Sequence, residues 1–381
     1  MKRFLANTGL TLFTLAFAFG VGEVAVRLLY KDSVGLFPRY HTDYQYGPYL
    51  IRGIRPNSEF WHTSADGSWK FVTNNKGFRN DEDFDYERPA NTLRVLTLGD
   101  SHTQGYEVRQ ESTYSAVLQR FLTRDGGNVQ VLNAGVSGFS TAEALVLLEN
   151  EGVKYGPDAV VLGFFANDFE DNLKAGLFGL DGGHLTERAF EHVPGVRAQN
   201  LIYSLPPVRW LGENSYFYSL LFNGVWDFFK ERLAREATAE AATGDSGDSP
   251  AAGGPEYAIP TTSVFTAHQI ELAAALIERM HRFCTQRGIR FIAVDVPFFG
   301  DGPYSYTSSV PAELADKLHA AGIEYISSDQ VFADFEGAAE LHVQHGQRHI
   351  TEFTHTMLGL AIGQRLTAPS APAIDGTRPA H

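Results

Sequence analysis

The 381-residue sequence predicts an α/β protein built on a central parallel β-sheet, with an apolar helix before it and an insertion within it. Short apolar runs such as "LRVLTLGD", "VQVLNAG" and "DAVVLGFF" alternate with helix-like stretches. Each run is nearly continuously apolar, as strands are when both faces of a parallel sheet are covered by helices. Functional groups in such sheets gather at the carboxyl ends of the strands, and there the first run ends in Gly99-Asp100-Ser101.

Residues 1–30 read as a membrane anchor. Lys2 and Arg3 precede an apolar run from Phe4 to Gly22, close to the length of a bilayer-spanning helix. Positive charges ahead of the run favour an inside amino terminus, which delivers the rest of the chain outside the cytoplasm. Glu23 and Arg27 follow at i, i+4 spacing and can pair. A signal cleaved after Ala16-Phe17-Ala18 is the alternative, and leads to secretion. Residues 31–91 form a β-rich arm: Tyr40 to Arg79 is rich in aromatics, Gly, Pro and Asn, with short alternating runs such as "SWKFVTNN". "NNKGFRND", Asn74 to Asp81, contains a turn at Gly77.

The main domain spans 92–169 and 260–366. After the strand near Thr92 comes a helix with Ser112 as its expected cap, then a strand before Asn133 and a helix from about Thr141 to Tyr155. A strand from Asp158 follows, and later "GIRFIAVDVP", a helix over Pro311 to Ala321, and "IEYIS". Between these halves, 170–259 breaks the alternation. It holds an aromatic helix over Tyr216 to Leu233 and a loop rich in Ala, Gly, Ser and Asp; residues 367–381 read as a disordered tail. The aromatic segment reads as core packing, with a cap over the site or a membrane-facing helix as alternatives.

With 44% hydrophobic and 13% aromatic residues, the chain has the composition of a folded protein. A formal net charge of −14 argues against nucleic-acid binding, which calls for clustered Lys and Arg. The single cysteine, Cys284, excludes an intrachain disulfide and argues against a cysteine-based metal site.

A serine exposed at the end of the first strand can attack an acyl carbon if a base takes its proton. Gly138, after the second strand, lets a backbone N–H approach a ligand closely. Asn167, after the third, carries a side-chain amide donor. With the Ser101 N–H they make three donors for a developing oxyanion. "QRHITEFTHTMLGLAIGQRL" supplies His349 just before a helix that Thr351 can cap. His342, His345, His349 and His355 also make a histidine-rich stretch. It has no H-E-x-x-H and no matching carboxylate or cysteine spacing, so a metal is not expected. His102 reads as a loop or pocket-lining residue rather than a second base.

Together, GDS at the first strand, N-x-x-x-S-G, G-x-x-x-N-D and H-x-T-x-x-x-H near the carboxyl end resemble the SGNH/GDSL hydrolase superfamily. The match runs from about Arg94 to Leu366 around the insertion. "NNKGFRND" ahead of "LRVLTLGDSHTQGYEV" is similar to membrane-anchored bacterial members. The resemblance implies a three-layer α/β/α sandwich, with Ser101 as nucleophile and His349 as general base. Ser101, Gly138 and Asn167 would form the oxyanion hole, and no cofactor is needed. The superfamily usually places an aspartate three residues before the histidine, where this chain has Gly346. Three readings follow: a Ser–His dyad oriented by a backbone carbonyl, which is preferred, an acid from elsewhere, or a degenerate enzyme. Glu340 and Asp329 lie nearby in sequence. The expected function is hydrolysis of an acyl ester outside the cytoplasm, on an envelope glycan or lipid. The alternatives are an O-acetyltransferase served by a membrane acyl-donor protein, and a non-catalytic envelope scaffold.

Overall fold

The computed structural model describes residues 1–188, 196–222, 224–225, 265–345 and 348–368. The polar stretch after Leu233, the carboxyl-terminal tail beyond residue 368 and Gly346 lie outside the described residues.

Helix α1 (Lys2–Leu29) has a mean hydropathy of 1.8 over its most apolar window and is long and apolar enough to cross a membrane. Two antiparallel hairpins follow, β1 (His41–Tyr46) with β2 (Tyr49–Ile54) and β3 (Glu59–Ser64) with β4 (Gly67–Val72). The main domain then runs β5 (Thr92–Leu98), α2 (Ser101–Gln104), α3 (Tyr114–Thr123), β6 (Asn128–Asn133), α4 (Thr141–Asn150), β7 (Ala159–Phe164) and α5 (Asp168–Ala175). A short hairpin, β8 (Phe178–Asp181) and β9 (His184–Glu187), leads to α6 (Val196–Tyr203), α7 (Pro206–Asn214) and α8 (residues 216–222). The chain continues through α9 (Ala267–Thr285), β10 (Arg290–Asp295), β11 (Phe298–Phe299), β12 (Tyr306–Thr307), α10 (Ala312–Ala320), β13 (Glu324–Ile326), α11 (Ser328–Val331) and α12 (Glu352–Thr367).

The central sheet is five-stranded and parallel, in the order β13-β10-β7-β5-β6. Because side chains alternate across a strand, the apolar runs feed two cores. Leu96, Leu98, Val160, Leu162, Phe291 and Ala293 face α4, α9 and α10, whereas Val95, Val161, Ile292 and Val294 face α3 and α12. Each such Leu, Val, Ile or Phe side chain withdrawn from water stabilises the fold by roughly 1.5–3 kcal/mol. β5 lies between β6 and β7: the chain passes from β5 to β6 through α3 on one face and from β6 back across to β7 through α4 on the other. That reversal opens a crevice at the strands' carboxyl ends.

Local signals hold with one adjustment. The cap of α3 is Thr113, whose hydroxyl accepts from Ala116 N–H at 3.3 Å, rather than Ser112, which sits in a preceding 3₁₀ turn. Ser140 and Glu143 cap α4 reciprocally, and Thr351 caps α12.

The described part of the insertion packs on the arm and on α1. Glu23 of α1 accepts from Ser215 Oγ at 2.7 Å and from the Tyr216 and Phe217 N–H groups at 3.1 and 2.9 Å, capping α8. Arg27 pairs with Glu23 at 2.6 Å and also donates to the Asn214 carbonyl at 2.6 Å. Val26, Val34, Leu36 and Tyr216 form a small apolar cluster between these elements.

Candidate active site

The turn after β5 is a place only glycine fits. Gly99 has φ +147°, and a Cβ there would lie 2.2 Å from Thr103 Oγ1 and 2.6 Å from the Gly163 carbonyl. The turn delivers Ser101 to the first residue of α2, where Asp100 accepts from His102 N–H at 2.9 Å. His349, immediately before α12, meets it: its Nε2 lies 2.8 Å from Ser101 Oγ. The two residues are 248 positions apart in sequence, and the crevice brings them together.

The residues expected to line an oxyanion hole, Gly138 and Asn167, follow the neighbouring strand ends. Asn167 follows β7, and its amide donates to Asp100 Oδ2 at 3.1 Å, which fastens it beside the serine turn. It precedes α5 without capping it through its side chain. Asp168 holds this loop, accepting from Phe165 N–H at 3.0 Å and Thr141 Oγ1 at 2.8 Å. Gly138 follows β6 with φ +78°, and its carbonyl accepts from the buried Arg52 of β2.

The carboxylate beside the His349 ring belongs to Glu107, which has no motif to mark it in the sequence. Its Oε2 lies 3.6 Å from His349 Nδ1, and the carboxylate is almost wholly buried. Burial pushes this carboxyl up, but His349 and His62 outweigh it and hold the pKa at about 2. Glu107 therefore stays ionised. Its φ of +62° is unusual for a side chain of this size, and such strain gathers at functional sites. Arg79 holds the turn, donating to the carbonyls of Gln104 at 3.0 Å and Val108 at 2.8 Å and also to that of Gly105. Thus "NNKGFRND" is more than a connection. The preferred carbonyl-oriented dyad gives way to a nearby carboxylate. Glu340 instead bonds Tyr304 at 3.0 Å on the surface. The signal for Glu107 was a charged residue six positions after Ser101, at the end of a helix turn. Nothing in its spacing marks it as facing a histidine 242 residues further on.

The other histidines have separate partners. His102 is buried against Phe165, with ring centroids 3.9 Å apart, and burial drives its pKa well below the usual imidazole range, so it stays neutral. His342 Nε2 sits 3.0 Å from the Pro297 carbonyl. His345 bonds Asp66 at 3.0 Å on the surface. His355 Nδ1 accepts from Tyr114 N–H at 3.1 Å, with burial lowering its pKa to about 3. Among the described residues no group of three metal-ligating side chains converges.

With this geometry in view, the family profile of GDSL-like lipases and acylhydrolases matches residues 97–352. The chain belongs to that family. It is 33% identical over 75 residues to an arylesterase of Vibrio mimicus, a match covering 20% of this chain and 38% of that protein. The chain thus spans well under half of that relative's length. Among solved structures, a lipase/acylhydrolase from Enterococcus faecalis aligns over 72% of this chain and 95% of that one, with 16% identity and a TM-score of 0.38. A two-domain esterase active on acetylated mannans aligns over 74% of this chain and 52% of its own, with 12% identity and a TM-score of 0.38. For this GDSL-family chain, the three-layer α/β/α sandwich and the parallel sheet are as expected.

Proposed function

We propose that this GDSL-family protein is a serine-dependent acyl-ester hydrolase working through Ser101, His349 and Glu107. The observation that carries the reading is the line of contacts from Ser101 Oγ through the His349 ring to Glu107, at 2.8 and 3.6 Å. Ser101 Oγ attacks the acyl carbon as its proton passes to His349 Nε2, and the carbonyl electron pair moves onto oxygen. The N–H groups of Ser101 and Gly138 and the Asn167 amide receive that charge. Collapse expels the alcohol oxygen, which takes the proton back from His349, and water then repeats the sequence to release the acid. Glu107 fixes the Nδ1–H tautomer and stabilises the imidazolium. Contacts of this kind are commonly long without substrate and shorten as charge develops.

The scaffold alternative rested on a missing acid, and the carboxylate of Glu107 beside His349 favours the hydrolase reading. Helix α1 supports a membrane tether, with the catalytic domain outside the cytoplasm and acylated envelope glycans or lipids as the substrate class. The test is covalent labelling of the full chain in detergent with a fluorophosphonate, read by intact mass, beside Ser101→Ala and His349→Ala. The reading expects a single adduct, absent in Ser101→Ala and slowed strongly in His349→Ala. No adduct on folded wild-type protein counts against it.

A further inference from the structure

Glu107 has two carboxylate oxygens, and only one faces His349. The other, Oε1, lies 3.8 Å from Nε2 of His62, a fully buried histidine on β3 of the amino-terminal arm. The Tyr106 ring packs against both imidazoles, with centroids 4.3 Å from His62 and 4.6 Å from His349. Trp69 stacks near His62 at 5.6 Å, and Phe37 meets it edge-on at 5.2 Å, so the ring has no freedom to turn away. The hairpin is also pinned at its tip, where Asp66 accepts from the His345 backbone N–H at 3.2 Å, close to the His349 loop.

Proton bookkeeping gives this arrangement a chemical meaning. His62 Nδ1 lies 3.1 Å from the Leu36 carbonyl, which can only accept, so Nδ1 carries a hydrogen. Nε2 has no hydrogen-bond partner and faces an ionised carboxylate. A bare lone pair there would repel Glu107, whereas a proton joins them. Burial disfavours that proton and brings the ring's pKa below the ordinary imidazole value, against the opposing pull of Glu107 and the Leu36 carbonyl. The titratable groups facing His62 are Glu107, His349 and the Tyr106 phenol; around His349 they are Glu107, Tyr106, His62, His102, His342, His355 and Asp100.

We propose that His62 is a positioning residue for the acyl-transfer site: facing Glu107 Oε1 at ion-pair distance, its protonated ring holds that carboxylate in place and moderates the negative charge that Glu107 presents to His349. This rests on the Ser101–His349–Glu107 reading. It makes the arm a working part of the active site.

The test uses the full chain in detergent with 4-nitrophenyl acetate as probe, comparing wild type with His62→Gln and His62→Phe. Gln retains an N–H donor but no charge; Phe retains the ring but neither. The expected result is a kcat loss of about 10-fold for Gln and about 100-fold for Phe, with KM little changed. In both variants the acid limb of kcat/KM moves to higher pH, because Glu107 then acts on His349 at full charge. A role confined to packing would leave that limb where it was. Wild-type kcat and an unmoved limb in folded variants overturn the inference. The imidazole ¹⁵N spectrum reads the same point without turnover: a protonated His62 Nε2 supports it and a free lone pair overturns it. Failure of the hydrolase reading is separable, since it appears as absent fluorophosphonate labelling of the wild type.

Discussion

The parallel sheet and the amino-terminal arm serve the same site by different physics. The sheet sets the places of Ser101, Gly138 and Asn167 chiefly through apolar packing: every residue of β7 is buried, and the three residues follow the ends of its strands. The arm reaches the site with buried polar side chains. Arg52 holds the Gly138 carbonyl, Arg79 holds the turn from Gln104 to Val108, and His62 faces Glu107. Packing tolerates substitution at a cost in stability. A buried polar contact aimed at a reacting group carries stability and rate together, because its loss leaves a partner unsatisfied.

Substitutions can break this comparison, beginning with the largest effect. Ser101→Ala should abolish fluorophosphonate labelling and lower kcat on 4-nitrophenyl acetate by about 10⁴-fold or more with little change in melting temperature. Glu107→Gln should lower kcat by about 10²–10⁴-fold, whereas an enzyme relying on a Ser–His dyad would change little; steady-state kinetics decides between them. Leu96→Ala and Arg79→Met then set sheet against arm. Each should cost about 2–5 kcal/mol in denaturant unfolding, Leu96→Ala by leaving a cavity and Arg79→Met by removing three buried hydrogen bonds to the turn. Only Arg79→Met should also lower kcat per folded molecule, because it frees the turn that holds Glu107. Equal losses of kcat in both would erase the distinction.

The smallest effect sharpens it further. Glu107 titrates at about 2 in the folded protein against an ordinary 4.5, so its folded-state pKa is depressed. Its contribution to stability is therefore complete above about pH 4.5 and is lost as the pH falls toward 2. Unfolding free energy measured across that window should decline with acid in the wild type and decline less steeply in Glu107→Gln.

Much of this was legible along the chain. Apolar runs with turn residues at their ends mark β5, β6, β7 and β10, because burial on both faces leaves no room for polar alternation. GDS, Gly138, Asn167 and His349 are visible because each stands at a strand end or helix start. Glu107 and His62 were not. Each looks like an ordinary polar residue in its local context, and their meaning lies in partners 242 and 45 positions away. Ser112 was misjudged as a cap for a smaller reason: a 3₁₀ turn intervenes, and the next residue, Thr113, has the extended backbone a cap needs.

The sequence by itself determined the sandwich, the apolar leading helix, the serine and its histidine, since periodicity and turn chemistry are local properties that write themselves into neighbouring residues. Only the tertiary structure decided which carboxylate stands behind His349. Charge pairing in a buried site depends on distance in space, and the folding of the arm onto the strand ends brings His62, Glu107 and His349 within reach of one another.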